Sequence, residues 1–146
     1  LAYALFGIRD ERVFFRAMTA TILCQVVNDV FYVVMPSTFP RPIDQLGTGL
    51  TAQAFHLLWA VDPPVNTFPS SHVAVAVIAW LSMRADRHPR AWINALCLAG
   101  IVITVHTTKQ HFWVDTISGL LVGVGSFLAA PGLLRRAIGL FGWARA

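Results

Sequence analysis

The chain has 146 residues, of which 56% are hydrophobic and only 12% are charged, and its mean hydropathy is +0.63. A soluble domain carries about 25% charged residues, so this composition excludes a water-covered globule, and the hydrophobic excess also excludes disorder. The basic excess of 11 Lys and Arg over 7 Asp and Glu contains no run of cations interleaved with aromatic residues, which argues against nucleic-acid binding. We therefore predict one membrane-embedded domain over residues 1–146.

Four apolar stretches are candidates for membrane-spanning helices, because a hydrocarbon layer of ~30 Å requires about 20 helical residues. In chain order they are residues 17–35, 73–83, 91–105 and 112–134. The second and third stretches are short. The second is therefore expected to begin near Ser70 and to be sheltered by neighbouring helices, since unpaired backbone groups cannot face lipid. The pattern predicts an all-α, multi-pass bundle with about four spanning helices.

The basic residues divide between the two ends of these stretches. In a four-span topology nine arginines lie on one side, and Arg41 and Lys109 lie on the other. The nine are Arg9, Arg12, Arg16, Arg84, Arg87, Arg90, Arg135, Arg136 and Arg145. Because cations of short loops favour the cytoplasmic side, we predict that both chain ends face the cytoplasm and that loops 36–70 and 106–111 face outward. The expected location is the plasma or cytoplasmic membrane.

Three histidines and an aspartate fall at the outward ends of three different stretches. His72 opens the second stretch, His106 closes the third, and His111 with Asp115 opens the fourth. Ionisable groups at membrane depth are costly, so they are candidates for function. His111 and Asp115 are four residues apart at a helix start, and the carboxylate can therefore orient the imidazole as in histidine–carboxylate pairs of hydrolases.

A phosphate site is predicted at the same outward end. Ser70 and Ser71 are candidate caps of the second stretch, whose amino end presents free N–H groups and a positive dipole end. Arg41 and Lys109 add two cations on this side. A helix amino end, two cations and two histidines together can bind a phosphate and supply a nucleophile and an acid.

In this order, the polar blocks resemble the three signature blocks of the type 2 phosphatidic acid phosphatase superfamily. The blocks are Arg41-Pro42, Pro69-Ser70-Ser71-His72, and His111 with Asp115 four residues on. The resemblance covers residues 35 to 120, and the middle block is the most specific. Members of this superfamily usually have six core helices, so the resemblance implies that a chain with four lacks the first two or is a reduced member.

The resemblance also implies a role for each site residue. His111 would attack phosphorus to form a phosphohistidine, Asp115 would orient His111, and His72 would protonate the leaving group and then act as a base. The phosphate would be surrounded by Arg41, Ser70 and Ser71. This mechanism uses no metal and no other cofactor.

The sequence departs from the superfamily pattern at three places in the phosphate cradle. Val34 stands where the pattern has lysine, Thr104-Val105 where it has Ser-Arg, and Ser71 where it has glycine. Lys109 could supply one charge, although an ammonium group is not a bidentate guanidinium. The Lys-Gln-His block followed by the aspartate is more similar to the inositol phosphotransferase and sphingolipid head-group transferase branch.

Three functions remain open on this basis. The first is an integral membrane lipid-phosphate phosphatase that acts on a phosphate monoester or diphosphate lipid at the extracytoplasmic face. The second is a phosphotransferase that moves a phospho-head-group to an inositol or a lipid alcohol. The third is a non-catalytic lipid-binding membrane protein. In each case the expected partner is a membrane lipid, with no nucleic acid and no metal.

Several other polar residues have two interpretations. Asn28 and Asp29 lie inside the first stretch, where they either make a structural contact or line the substrate path. His106 either supports the catalytic histidines or is an ordinary interfacial histidine. His56 and Asp62, in the outer loop, are expected to be solvated. A zinc site is a further alternative, because its ligand types are matched by His72, His106, His111 and Asp115, but two nearby cations disfavour a dication.

Overall fold

The computed structural model describes residues 7–43 and 46–141, and of residues 140 and 141 it describes only the backbone. Within these ranges the fold consists of five helices, with one isolated antiparallel bridge between Thr38 and Val65 and no strand. The helices are α1 (Glu11–Val34), α2 (Leu50–Val61), α3 (Ser71–Ala85), α4 (Ala91–Thr107) and α5 (Trp113–Phe141). The predicted all-α class is confirmed.

Two of the described helices are long and apolar enough to cross a membrane, which is fewer than the four predicted. Helices α1 and α5 have 24 and 29 residues. Helices α3 and α4 have 15 and 17 residues, which correspond to only about 22 and 26 Å. They are short because Pro69 precedes α3 and because the polar turn at residues 86–90 both ends α3 and begins α4. Each therefore stops short of a ~30 Å hydrocarbon layer.

Helix α1 packs against α3 and α5, and α3 packs against α4 and α5. Their shared core consists of Ala20, Cys24, Ala74, Ile78, Phe127 and Ala130. The contact between α3 and α5 is very close, because a Cβ atom at Gly119 would lie 2.4 Å from the Ser70 carbonyl oxygen and one at Gly123 would lie 2.3 Å from Val77 Cγ1. Glycines four residues apart are typical of such close helix pairs. They bring the start of α5 against the start of α3.

Helices α1 and α5 also carry stripes of exposed apolar side chains at helical spacing. These side chains are Ile22, Val26, Val30 and Val33 on α1, and Val114, Ile117, Leu121, Val124 and Leu128 on α5. Exposed apolar surface of this extent is uncommon in soluble monomers. The stripes and the two long apolar helices are consistent with a membrane protein.

The arginine-rich segments lie at one end of the bundle. The backbone N–H groups of Arg9 and Asp10 donate to the Asp86 carboxylate over 2.8–3.2 Å, and the Asp10 carboxylate in turn accepts from the backbone N–H of Arg12 at 2.8 Å. These hydrogen bonds join the beginning of α1 to the turn between α3 and α4. The two arginine-rich segments therefore lie at the same end of the bundle, where the sequence placed them together. Arg145 lies outside the described residues.

Candidate active site

A polar cavity of about 190 Å³ lies at the end of the bundle where α3 and α5 begin. Four of the residues predicted for the site line it, namely Arg41, Ser71, His72 and His111. Its wall also contains Tyr32, Asp62, Asn66, Thr67 and Gln110. Residues from α1, the segments that flank α2, the start of α3 and the turn before α5 therefore meet in this polar cavity.

His111 lies in the turn between α4 and α5 and is only 6% exposed. Its backbone N–H donates to the Val105 carbonyl at 3.2 Å, which fixes the turn. Its Nδ1 atom is 3.5 Å from Asp115 Oδ2, and its Nε2 atom is 3.5 Å from Nδ1 of His72. The contact with His72 is at the upper limit of hydrogen bonding, and the contact with Asp115 is too poorly aligned to be a hydrogen bond. Such contacts often tighten only when substrate binds. The carboxylate thus faces one ring nitrogen of His111, and the other nitrogen faces His72.

Asp115 joins the starts of α3 and α5 through its own hydrogen bonds. Its carboxylate accepts from the backbone N–H of Phe112 at 2.9 Å, and its carbonyl accepts from the backbone N–H of Ser70 at 3.0 Å. The residue is 3% exposed. Its position is therefore fixed by the backbone of both helix starts, and this holds the carboxylate in place beside His111.

Burial lowers the pKa of His111 below the ordinary histidine value, and the neighbouring His72 lowers it further, whereas the Asp115 carboxylate opposes the shift. Burial is the largest of these effects because a charged imidazolium loses its hydration in the turn. His111 is therefore neutral at pH 7. A carboxylate only accepts hydrogen bonds, so the tautomer that suits Asp115 carries its proton on Nδ1 and leaves a lone pair on Nε2.

Arg41 is fixed against the wall of the polar cavity, and its side chain is only 4% exposed. One terminal nitrogen, Nη1, donates to the Trp59 carbonyl at 3.1 Å, and Nη2 lies 3.4 Å from Asp62 Oδ2. Its Nε atom has no hydrogen-bond partner in the described part of the chain. The indole of Trp59 donates to the Thr108 carbonyl at 3.0 Å, so the end of α2 is attached to the turn that carries His111.

Asp62, for which solvation was predicted, keeps 36% of its side chain exposed but also lines the polar cavity. Its Oδ2 atom faces Arg41 and also accepts from Gln110 Nε2 at 2.6 Å. Both contacts cross long stretches of the chain, so spacing in the sequence gave no signal for them. His56, for which solvation was also predicted, is exposed on α2.

The two serines before His72 have different environments. Ser71 lines the polar cavity as the first residue of α3. Ser70 is fully buried behind it, and its hydroxyl neither caps α3 nor has another hydrogen-bond partner among the described residues. Ser70 therefore acts on the site through its backbone N–H, which is bonded to Asp115. The first turn of α3, whose N–H groups have no partner within the helix, begins at Ser71 and His72 in the wall of the polar cavity.

Lys109 and His106 do not line the polar cavity. Lys109 is exposed and lines a neighbouring cavity of about 280 Å³ together with His106, and this side cavity meets the first one at His111. His106 Nε2 is 3.0 Å from the Thr116 hydroxyl, and its ring stacks on Trp113 at 3.9 Å. His106 therefore braces the first turn of α5. The described residues contain no group of three His, Cys, Asp or Glu side chains that could hold a metal ion.

Asn28 and Asp29 also lie outside the polar cavity. Asn28 is fully buried and its Nδ2 atom is 3.8 Å from Cys24 Sγ, whereas Asp29 is exposed and accepts from Gln25 at 2.8 Å. The Asn28 Oδ1 atom has no hydrogen-bond partner among the described residues, and Gln25 lines a cavity beside His72. Tyr32, four residues beyond Asn28 on the same face of α1, is the residue that lines the cavity, and its hydroxyl donates to the Pro69 carbonyl at 3.1 Å. The four-residue spacing between Asn28 and Tyr32 places both on one face of α1, and this spacing is the feature of the sequence that could have identified Tyr32.

The family model described as the PAP2 superfamily matches residues 1–129. This match covers most of the chain, so the chain belongs to the PAP2 superfamily. Membership suggests a function of the phosphatase or phosphotransferase type. No curated protein and no solved structure gives a significant match.

Proposed function

We propose that the protein is an integral membrane lipid-phosphate phosphatase that forms a phosphohistidine on His111 and needs no metal. The observation that carries the proposal is the geometry of His111, with Nδ1 facing Asp115 and Nε2 facing His72 in a cavity lined by Arg41. An oriented nucleophile, an adjacent imidazole and a fixed cation are the groups that phosphoryl transfer requires. Membership of the PAP2 superfamily supports this assignment.

In the first step, Nε2 of His111 attacks phosphorus, and the bond between phosphorus and the leaving oxygen breaks. Protonated His72 gives its proton to that oxygen. Asp115 stabilises the positive charge that the imidazole of His111 acquires. In the second step, neutral His72 takes a proton from water while the water oxygen attacks phosphorus, and the N–P bond breaks to release phosphate and restore His111.

This chemistry requires a movement of His72. In-line transfer places phosphorus between the nucleophile and the leaving oxygen, and the acid contacts that oxygen. The two imidazole nitrogens are 3.5 Å apart, which leaves no space for a phosphoryl group between them. His72 therefore turns away from His111 as the phosphate enters. His72 is exposed and lines two adjoining cavities, which leaves room for this rotation.

The phosphate is held by Arg41 and by the amino end of α3. The unpartnered Nε atom of Arg41 is a buried donor, and an anion that reaches it would remove the cost of leaving that donor unpaired. The free N–H groups at Ser71 and His72 and the helix dipole add to the attraction. These groups replace the lysine and the second arginine of the superfamily pattern, whose positions hold Val34 and Val105.

The substrate is proposed to enter from the bilayer with its headgroup outward. A cavity of about 350 Å³ opens beside His72 between α1, α3 and α4, and most of its wall is apolar, including Val75, Ala76 and Ile101. Such a wall suits the first carbons of a lipid chain. The polar cavity lies at the end of the bundle opposite the arginine-rich turn, so in a multi-pass topology it faces the extracytoplasmic side.

A phosphotransferase is the second candidate, and one observation favours it. Asp62, Asn66 and Gln110 line the polar cavity in addition to the groups that the phosphate needs. Carboxylate and amide groups are suited to hydrogen-bond the hydroxyls of an acceptor such as inositol. The Lys-Gln-His block agrees with this branch. In that case an alcohol, rather than water, attacks the phosphohistidine in the second step.

The test is phosphate release by the purified protein in detergent with EDTA present, from a panel of lipid monoesters and diphosphates. Metal-free release should be lost in His111→Ala and retained in His56→Ala, a matched control because His56 is exposed on α2. Head-group exchange on adding inositol or a lipid alcohol, without release to water, would assign the transferase. No activity in either assay would favour the non-catalytic alternative, and full activity of His111→Ala would refute the proposal.

A further inference from the structure

A further cavity, with arginines in a largely apolar wall, lies at the opposite end of the bundle, between the first turns of α1 and the last turns of α5. It is a cavity of about 550 Å³, which we call the arginine cavity. Its lining includes Arg12, Arg16 and Arg135 together with the apolar residues Val13, Pro131 and Leu134. Three guanidinium groups therefore share one cavity with apolar side chains.

Arg16 is fixed in this cavity by a proline in the facing helix. Pro131 has no N–H group, so the carbonyl of Phe127, four residues earlier in α5, lacks its helical partner. Arg16 Nε donates to that carbonyl at 3.1 Å, and its guanidinium carbon lies 3.8 Å above the Phe127 ring. These contacts hold the base of the guanidinium group and use neither terminal nitrogen. Both terminal nitrogens remain available to a ligand.

The positive charge of the arginine cavity is not neutralised within the described part of the chain. The ion pairs found there are Arg41 with Asp62 and His111 with Asp115, both at the other end of the bundle. The nearby Asp10 carboxylate accepts instead from the backbone N–H of Arg12. None of these guanidinium groups forms an ion pair within the described residues, and a bound anion would supply the missing counter-charge.

The position of the arginine cavity along the bundle indicates where a bound anion would come from. Arg16 and Arg12 precede Tyr32, a residue of the polar cavity, by 16 and 20 residues of α1, which corresponds to roughly 24–30 Å. This separation is close to the ~30 Å of a hydrocarbon layer. The arginine cavity would therefore lie at the opposite membrane interface, at the level of the lipid headgroups.

We propose that the arginine cavity binds the phosphate-bearing headgroup of an acidic membrane lipid, with the first carbons of its chain against Val13 and Leu134. Guanidinium groups bind the oxygens of anionic groups such as phosphate in a bidentate manner, and phosphate is the anionic group that a phospholipid headgroup presents at this level. The apolar half of the lining favours a lipid over free phosphate. This site is separate from the catalytic one, and the proposal does not rest on the proposed function.

The test is a titration of the full chain in neutral detergent with phosphatidylglycerol, followed by native mass spectrometry and by the unfolding midpoint. The double variant Arg12→Gln/Arg135→Gln removes two charges from the arginine cavity. The double variant Arg9→Gln/Arg136→Gln is the matched control, because it removes the same charge from the same end without touching the lining. Phosphatidylcholine and inorganic phosphate are titrated in parallel.

We expect phosphatidylglycerol to raise the unfolding midpoint of the wild type, and the cavity variant to bind it at least about tenfold more weakly than the control variant. Equal weakening in both variants would overturn the proposal, because it would indicate diffuse attraction. Equal stabilisation by phosphatidylcholine or by inorganic phosphate would also overturn it. If the double variant does not fold, the exposed neighbours Arg135→Gln and Arg136→Gln provide the same comparison one charge at a time.

Discussion

Replacing Gly119 with alanine is expected to impair the catalytic site although Gly119 has no side chain to contact the substrate. The new Cβ atom would lie 2.4 Å from the Ser70 carbonyl oxygen, where ordinary contact begins at 3.4 Å. The Ser70 carbonyl oxygen belongs to the backbone and cannot rotate away as the end of a flexible side chain could. The backbones of α3 and α5 must therefore separate by about 1 Å. Gly125, on the same helix, is the matched control, since a Cβ atom there meets nothing within 4 Å.

The two substitutions should change stability with opposite sign. Alanine is favoured over glycine in a helix by about 1 kcal/mol, and this gain is common to both variants. Overpacking a close contact costs about 1–3 kcal/mol, and this cost applies only at Gly119. Gly125→Ala should therefore be equal to the wild type or more stable. Gly119→Ala should be less stable by up to about 2 kcal/mol.

The effect of Gly119→Ala on activity should be larger than its effect on stability. The hydrogen bond from Ser70 N–H to the Asp115 carbonyl spans the contact that the new methyl group opens, so Asp115 and His111 move relative to His72. A misplacement of about 1 Å can cost roughly 100-fold in rate. The assay is phosphate release at saturating substrate, at a temperature where both variants are folded. Equal activity of the two variants would refute this account of how α3 and α5 align the site.

Three further predictions concern the site itself. Because burial lowers the pKa of His111, the neutral nucleophile should persist below the ordinary histidine pKa of about 6.5. With a substrate whose leaving group needs no proton, the rate of enzyme phosphorylation should therefore fall on the acidic side only below this value. Half-loss on the acidic side at or above about 6.5 would contradict this. Arg41→Lys should lower kcat/KM by about 10- to 100-fold, because the lysine loses the contacts with Trp59 and Asp62. Lys109→Gln should change kcat/KM by less than about threefold. Comparable losses in the two variants would contradict the placement of Lys109 outside the polar cavity. Asp62→Asn should bind vanadate several-fold more tightly, because a carboxylate no longer competes with the anion for Arg41. Asp29→Asn, at an exposed position, is the control and should bind vanadate as the wild type does. Weaker binding by Asp62→Asn would mean that the carboxylate mainly positions Arg41.

The depth in the bundle of each residue proposed to be catalytic could be predicted from the sequence. His72 and His111 stand at the starts of apolar segments, and Asp115 follows His111 by one helical turn, so topology alone places them in one layer. The side of the bundle that each of these residues faces could not be predicted in the same way. Lys109 lies at the same level as His111 but lines the side cavity, because its place depends on how the turn between α4 and α5 folds.

Contacts between distant segments account for what the sequence did not reveal. Asp62 reaches the polar cavity because the Trp59 indole ties the end of α2 to the Thr108 carbonyl, a contact across 49 residues. No local pattern encodes this contact. The number of long helices was overestimated because hydropathy registers apolar content, whereas the lengths of α3 and α4 are set by Pro69 and by the polar turn at residues 86–90.

The central claim is that Nε2 of His111 becomes covalently phosphorylated, and trapping that intermediate tests it most directly. The variant His72→Ala should be mixed with a radiolabelled phosphate ester whose leaving group needs no proton, and the reaction should then be quenched in alkali. Without its base the second step is slow, so an alkali-stable, acid-labile phosphoryl group should accumulate on the peptide that contains His111 and be absent from His111→Ala. Turnover with no label on that peptide, or with label on another residue, would contradict the account.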